Sequence, residues 1–118
     1  MIKVKILIVD DEEDFCMIMK SYFEKKGMQV FLAYNLLDGL KLIEEKTPDI
    51  LFLDNNLPDG EGWDKTNDIL KENPSLKINL ISAYKEKTNE FDSFSNVFTW
   101  EKPVSIRKLE EVFAFSKQ

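Results

Sequence analysis

The chain has 118 residues, of which 43% are apolar and 32% charged, as is typical of one compact globular domain. No apolar run approaches the ~20 residues that span a bilayer, which excludes a transmembrane helix. The net charge of −6 argues against a basic nucleic-acid footprint, so we expect no direct nucleic-acid binding. The chain has no histidine, which excludes histidine-based general base catalysis and histidine-ligated zinc.

The N-terminal segment and the cysteine content bear on the compartment. The apolar stretch at residues 6–9 is too short for the core of a signal peptide, and acidic residues follow it at once. Cys16 is the only cysteine, so no internal disulfide can form, and we interpret it as a small packing residue. We therefore expect a cytoplasmic protein that is not associated with a membrane.

The first half of the chain alternates between strand and helix patterns. Residues 4–9 are a branched apolar run, which predicts a buried strand, and residues 29–33 predict a second strand. Between them, a helix is predicted over residues 13–26, and Gly27 is typical of its end. Asn35 is the predicted N-cap of a second helix that reaches residue 46. The apolar positions of the first helix are Phe15, Ile18, Met19, Tyr22 and Phe23.

The second half continues this alternation. Residues 50–53, 76–81 and 97–100 predict three further strands, while residues 84–96 give the weakest pattern. The segment NNLPDGEG is rich in turn-forming residues, and its Gly60 and Gly62 are expected to permit positive φ. A helix is predicted over residues 62–72, with Trp63 among its core residues, and Ser105 caps a last helix. The predicted inner face of that helix consists of Ile106, Leu109, Val112 and Phe113.

Five chemically reactive side chains stand just beyond the predicted strands. The order of five βα units predicts an open parallel sheet, in which ligands bind outside the carboxyl ends of the strands. Close carboxylates attract a hard divalent cation such as Mg²⁺, and a carboxylate can act as a covalent nucleophile. An ammonium and a hydroxyl can contact the oxygens of a transferring phosphoryl group. The pattern therefore predicts phosphoryl transfer to a carboxylate, and its members are Asp10, Asp11, Asp54, Ser82 and Lys102.

Four segments follow one another in an order and spacing that resemble those of the response-regulator receiver domain: ILIVDDEED, ILFLDNNLPDGEG, LISAY and WEKPV. The resemblance covers residues 1–118 as a single domain. It implies a flavodoxin-like (βα)5 doubly wound parallel sheet of strand order 2-1-3-4-5, with two helices on one face and three on the other. It further implies that Asp54 is phosphorylated with Mg²⁺ as the cofactor, which would be held by Asp10, Asp11, Asp54 and the backbone carbonyl of Asn56.

The same resemblance implies roles for residues beyond the acidic set. Ser82 would be the switch hydroxyl and Lys102 the lysine that contacts the phosphoryl group, and the bond from Lys102 to Pro103 is expected to be cis. Two further positions bear on how such a site would work: one departs from the family pattern, and the other would affect the acyl phosphate. Thr99 stands where relatives carry a rotating aromatic ring, which puts the usual hydroxyl–aromatic coupling in doubt. Tyr84 lies two residues after Ser82, and we expect it to shield the acyl phosphate from water.

The resemblance also implies partners. The phosphoryl donor would be the phosphohistidine of a sensor histidine kinase or a histidine phosphotransfer protein. The output would be a conformational change that acts on a downstream protein target or a tethered output domain. The resemblance also leaves open the alternative that phosphorylation makes the domain dimerise. Such a domain catalyses its own phosphorylation and slow dephosphorylation, but it is not a multiple-turnover enzyme on an external substrate.

Two other classes of function remain open from the sequence. A small phosphatase with an aspartate nucleophile carries a second acid two residues after that nucleophile, and Asp10 is followed by Glu12 at that spacing. However, the chain offers no insertion that would form a substrate pocket. The other alternative is an interaction module that keeps the fold but has lost phosphorylation, which the altered Thr99 favours and the complete acidic set opposes.

Overall fold

The fold is that of a computed structural model, which describes residues 3–83, 90–91 and 93–113. Its five main strands are β1 (Lys5–Val9), β2 (Gln29–Ala33), β3 (Ile50–Asp54), β4 (Lys77–Ser82) and β5 (Val97–Glu101). Its helices are α1 (Glu13–Lys25), α2 (Leu36–Lys46), α3 (Thr66–Glu72) and α4 (Ile106–Phe113). A two-residue antiparallel ladder joins Asn56–Leu57 to Gly60–Glu61, and a 3-10 turn, Gly62–Lys65, leads into α3.

The five main strands form one parallel sheet in the order β2-β1-β3-β4-β5, which confirms the predicted topology. The register aligns the carboxyl ends of the strands, since Val9 pairs with Leu53 and Asp54 pairs with Ile81. All five residues of β3 are buried, as expected for a central parallel strand covered on both faces. The strand ends therefore meet at one edge of the sheet.

Two apolar layers cover the sheet. On one face, α1 and α4 contribute Phe23 and Leu109 to a cluster that also includes Phe52 of β3. On the other face, α2 and α3 contribute Ile43 and Ile69 to a second cluster. Phe91 packs in this second cluster. Of residues 84–96, which gave the weakest pattern in the sequence, residues 84–89 and 92 lie outside the described part of the chain. No helix among the described residues is long and apolar enough to cross a membrane.

Three predicted helix ends are confirmed by their local geometry. The Asn35 side chain accepts a hydrogen bond from the N–H of Asp38 at 2.8 Å, and Ser105 Oγ accepts one from the N–H of Lys108 at 3.1 Å. Gly27, just after α1, has a φ of +87°, which a residue with a side chain rarely adopts. These local signals were readable because each depends on residues close together in the sequence.

The buried faces of α1 and α4 are narrower than their apolar patterns, and the predicted inner face of α4 is partly wrong. In α1 the buried face runs through Cys16, Met19 and Phe23, whereas Ile18 is 61% exposed. Ile18 lies about 100° around the helix axis from Met19, which places it at the margin of the contact with the sheet. In α4 only Leu109 is fully buried, while Ile106 and Val112 are exposed. Both helices therefore carry apolar side chains on their open sides.

The segment after β3 also differs from its prediction. The helix predicted over residues 62–72 begins as the 3-10 turn and becomes α-helical only at Thr66. Trp63 is buried as predicted. Gly60 has a φ of +152°, as expected, but Gly62 is not in the positive-φ region. Its lack of a side chain matters for a different reason, which is the close approach of this turn to β3.

Candidate phosphoacceptor site

Three carboxylates meet where β1 and β3 end. Asp10 follows β1 and Asp54 ends β3, and both side chains are buried, whereas Asp11 is exposed. One carboxylate oxygen from each of the three lies within 4.8 Å of the others. Because β1 and β3 are neighbours in the sheet, their parallel pairing brings these acids together from positions 44 residues apart. The structure thus assembles the acidic set that the sequence predicted.

Asp10 is held by contacts to both of its carboxylate oxygens. Its Oδ1 accepts a hydrogen bond from the N–H of Glu12 at 2.8 Å, and its Oδ2 lies 2.8 Å from the Nζ of Lys102. The buried thiol of Cys16 donates to its backbone carbonyl at 3.3 Å, which confirms Cys16 as a packing residue. Burial raises the pKa of Asp10 in spite of the opposing effect of Lys102.

Lys102 reaches the acidic set from the end of β5. Besides Asp10, its Nζ contacts Glu12 Oε1 and stands 4.7 Å from the centre of the Phe15 ring. Burial alone would lower the pKa of this ammonium, but its hydrogen bonds to Asp10 and Glu12 outweigh burial, and the pKa is raised. Lys102 is therefore a permanent cation at the site. The peptide bond to Pro103 is cis, as predicted.

Asp54 lies in an electrostatically unfavourable position. Its side chain is 4% exposed. Burial, followed by the charge of Asp10, raises its pKa to about 6, although Lys102 and the N–H of Asn56 act in the opposite direction. A hard divalent cation among the carboxylates would relieve this repulsion, and the oxygen-only donor set suits Mg²⁺. The residues present therefore fit the cation that the sequence predicted.

The loop after Asp54 is pinned at both of its ends. The N–H of Gly62 donates to the Asn55 carbonyl at 3.0 Å, and the N–H of Trp63 donates to Asn55 Oδ1 at 3.2 Å. A side chain at Gly62 would collide with β3, since a Cβ there would lie 2.2 Å from the carbonyl oxygen of Asp54. Gly62 thus allows the turn to close directly against the backbone of Asp54.

Asp59, at the tip of this loop, caps a neighbouring helix. Its two carboxylate oxygens accept hydrogen bonds from the N–H groups of Leu36 and Leu37, at 2.7 and 2.9 Å, in the first turn of α2. These bonds hold the pKa of Asp59 below its usual value. The loop that carries Asn56 is therefore tied to α2 as well as to β3.

The remaining predicted residues are distributed differently. Ser82 is buried at the end of β4, and its carbonyl accepts a hydrogen bond from the backbone N–H of Lys102 at 2.9 Å, so it lies beside the acidic set. Asn56 begins the short ladder after Asp54 and is exposed. Thr99 is exposed on β5, next to the buried Trp100. Tyr84 lies outside the described residues, so its predicted shielding role stays a prediction.

Two features near the site were not predicted. Glu12 contacts Lys102, and its only signal in the sequence was its spacing from Asp10. A buried hydrogen bond of 2.9 Å also joins the Nε1 of Trp100 to the Oδ1 of Asn79, which ties β5 to β4 in the core. A polar residue inside the apolar run of β4 was the signal that could have pointed to a buried partner.

Comparisons with known proteins agree with this geometry. The response regulator receiver domain family matches residues 6–113. The chain is 33% identical over 88 residues to sporulation initiation phosphotransferase F of Bacillus subtilis, covering 73% of this chain and 69% of that protein. It is 28% identical over 118 residues to the autoinducer 2 sensor kinase/phosphatase LuxQ of Vibrio harveyi, covering 98% of this chain but only 14% of that protein. It likewise spans 37% of the transcriptional regulatory protein KdpE of Escherichia coli, at 33% identity over 85 residues.

Solved structures share the whole fold. A CheY-like receiver domain protein from Methanospirillum hungatei superposes with a TM-score of 0.85 at 26% identity, covering 98% of this chain and 96% of that one. A two-component response regulator from Clostridium difficile gives a TM-score of 0.84 at 28% identity, covering 98% of each chain. The parallel sheet, the acids at its carboxyl edge and the family match over residues 6–113 agree: the chain belongs to the response regulator receiver domains of two-component systems.

Proposed function

We propose that the domain spanning residues 1–118 accepts a phosphoryl group on the carboxylate of Asp54. The observation that carries this proposal is the convergence of Asp54 with Asp10, Asp11 and Lys102 at one edge of the sheet. Asp54 is the acid at the end of the central strand, and it lies between the two acids of the β1 end and the end of β4. Phosphoryl acceptance is general to receiver domains, so membership of the family supports the same assignment.

The donor that we infer is the phosphohistidine of a sensor histidine kinase or of a histidine phosphotransfer protein. The 118 residues contain no histidine, so the donor histidine lies outside them. A carboxylate oxygen of Asp54 attacks phosphorus, the P–N bond breaks, and the electron pair of that bond stays on the departing imidazole. A carboxylate needs no general base for this step, because its ionised form is already nucleophilic. We infer a cytoplasmic location, since a kinase draws its phosphoryl group from ATP.

The residues around Asp54 have separate roles in this proposal. Asp10, Asp11, Asp54 and the backbone carbonyl of Asn56 would hold Mg²⁺, which when bound neutralises negative charge around the phosphoryl group. Lys102 brings an ammonium from the end of β5, and it donates hydrogen bonds to the phosphoryl oxygens. The Ser82 hydroxyl at the end of β4 donates another. These contacts stabilise charge that develops during transfer, which is how phosphoryl transfer is mainly catalysed.

The outcome of phosphorylation is a shift between two conformations of a protein-binding surface. The partner that reads this surface is a downstream protein or a tethered output domain. Thr99 lacks the ring that relatives rotate at this position, so the signal would pass through another contact of β4 or β5. The domain acts once per phosphoryl group received, and it is not a turnover enzyme on an external substrate.

Phosphorylation by a small phosphodonor tests this proposal. The protein is incubated with Mg²⁺ and acetyl phosphate, and its intact mass is measured. We expect the mass of one phosphoryl group to be added to the natural chain and not to the Asp54→Asn variant. An unchanged mass in the natural chain, with the fold verified by circular dichroism, would instead indicate an interaction module that has lost phosphorylation.

A further inference from the structure

The side chain of Lys102 is held on the α1 side of the site. Its Nζ contacts Asp10 and Glu12 and stands over the Phe15 ring, and within the described part of the chain no ion pair joins it to Asp54. Building on the proposed function, we propose that Glu12 is a positioning residue. It holds the ammonium of Lys102 away from Asp54 until a phosphoryl group arrives there.

Glu12 combines a fixed backbone with a side chain that is free to move into solvent. Its N–H donates to Asp10 Oδ1 at 2.8 Å, and its carbonyl accepts from the N–H of Cys16 at 3.1 Å, at the start of α1. Its side chain is nevertheless 62% exposed, whereas that of Asp10 is fully buried. The carboxylate can therefore exchange Lys102 for water, while the backbone keeps it within reach for the return.

The difference in exposure decides which contact of Lys102 gives way. An exposed ion pair is weak because water solvates both partners, whereas breaking a buried pair leaves an uncompensated charge inside the protein. Lys102 is largely buried in both pairs, so the pair with Glu12 is the more exposed one because the Glu12 side chain faces water, and the pair with Asp10 is the buried one. A lysine ammonium has three rotatable donors, so it can keep Asp10 and exchange Glu12 for a phosphoryl oxygen.

The magnitude of this competition follows from the exposure of Glu12. Exposed ion pairs contribute little, so releasing Lys102 from Glu12 is expected to strengthen the binding of a phosphoryl group by about two- to fivefold. The same release removes one contact between the start of α1 and the end of β5, because Glu12 immediately precedes α1 and Lys102 follows β5. The contact thus links occupation of Asp54 to the junction of these two elements.

Three variants separate this contact from a general effect of charge. Glu12→Gln removes the charge and keeps the shape, and Glu12→Asp keeps the charge but withdraws it by one methylene group. Glu13→Gln is the matched control, since Glu13 is the exposed next residue in the first turn of α1 and its loss changes the net charge equally. We expect the two Glu12 variants to behave alike and Glu13→Gln to behave like the natural chain.

The first measurement needs neither metal nor phosphodonor. The ammonium protons of Lys102 are followed by ¹H–¹⁵N NMR, with their resonance assigned by its loss in Lys102→Arg. Exchange with water should be several times faster in both Glu12 variants than in the natural chain and in Glu13→Gln. Equal exchange rates in all four proteins would overturn the proposal, because Glu12 would then not hold the ammonium.

The second measurement uses beryllofluoride, a phosphoryl analogue, together with Mg²⁺. Its apparent Kd, followed by tryptophan fluorescence, should be two to five times lower in both Glu12 variants and unchanged in Glu13→Gln. Equal tightening in Glu13→Gln would overturn the proposal in favour of a general charge effect, and weaker binding in Glu12→Gln would show that Glu12 assists Lys102. If the natural chain does not bind the analogue, the proposed function fails, while the NMR measurement still decides the role of Glu12.

Discussion

Gly62 offers a sharp test of how the acceptor loop is built, through the variant Gly62→Ala. The added Cβ would lie 2.2 Å from the carbonyl oxygen of Asp54 and 2.9 Å from Leu53 Cδ1. The leucine side chain can rotate away, but the carbonyl belongs to the central strand. The turn cannot retreat easily either, since the N–H groups of Gly62 and Trp63 are both bound to Asn55. Relief of the clash therefore displaces the backbone of Asp54 or breaks this turn.

The magnitude follows from the size of the overlap. Restoring a separation of 3.0 Å requires a shift of about 0.8 Å in packed backbone, and overpacking of this kind typically costs about 1–3 kcal/mol. Because the contact involves backbone on both sides, we expect the free energy of unfolding to fall by about 3 kcal/mol. With a typical denaturant dependence of about 1–3 kcal/mol per M urea for a small domain, the urea midpoint would fall by about 1–3 M.

The assay pairs urea unfolding with binding of beryllofluoride in the presence of Mg²⁺. Gly27→Ala is the matched control, because Gly27 has a φ of +87° but an added Cβ meets nothing within 4 Å. It should lose about 1 kcal/mol through backbone strain and keep its affinity for the analogue. Gly62→Ala should lose more stability and bind the analogue more weakly. If Gly62→Ala is as stable as Gly27→Ala and binds normally, the close approach of the turn to Asp54 is not required.

Two further predictions concern contacts that support the site. Asn79→Ala leaves the Nε1 of Trp100 buried without its partner, so the free energy of unfolding should fall by about 1–3 kcal/mol. The loss should be smaller when Trp100→Phe is already present, because the donor is then gone. Losses that add up in urea unfolding of the double variant would contradict this coupling. Asp59→Asn should lower the urea midpoint at pH 7. The pKa of Asp59 is lowered by folding, so its contribution is present above its unfolded pKa of about 3.9 and is lost as the pH falls below that value. The midpoints of the two proteins should therefore converge between about pH 5 and pH 2, and a constant difference would argue against the cap on α2.

Much of the fold was predictable because its signals are local. A parallel strand covered on both faces leaves an apolar run, and Asn35, Gly27 and Ser105 mark helix ends through contacts to near neighbours. The acidic set was predictable for a related reason. Asp10 and Asp54 each follow a strand directly, and a parallel sheet brings the ends of neighbouring strands to one edge.

The features that were missed depend on distances across the fold. Periodicity identifies an apolar stripe, but it does not say how a helix is rotated over the sheet, so Ile106 and Val112 were wrongly expected inside. The sequence suggested that Gly62 supplies a positive φ, whereas its role is to let two segments touch. The contact of Glu12 with Lys102 joins residues 90 positions apart, and no pattern along the chain marks such a pair.

The assignment of Asp54 can be tested most directly by locating the phosphoryl group chemically. The natural chain is phosphorylated with acetyl phosphate and Mg²⁺ and then treated with borohydride, which reduces an aspartyl phosphate to homoserine, and the position of homoserine is mapped by peptide sequencing. We predict homoserine at position 54 and unmodified aspartate at positions 10 and 11. Homoserine at Asp10 or Asp11, or none at Asp54 in a protein that has gained the mass of a phosphoryl group, would contradict the account.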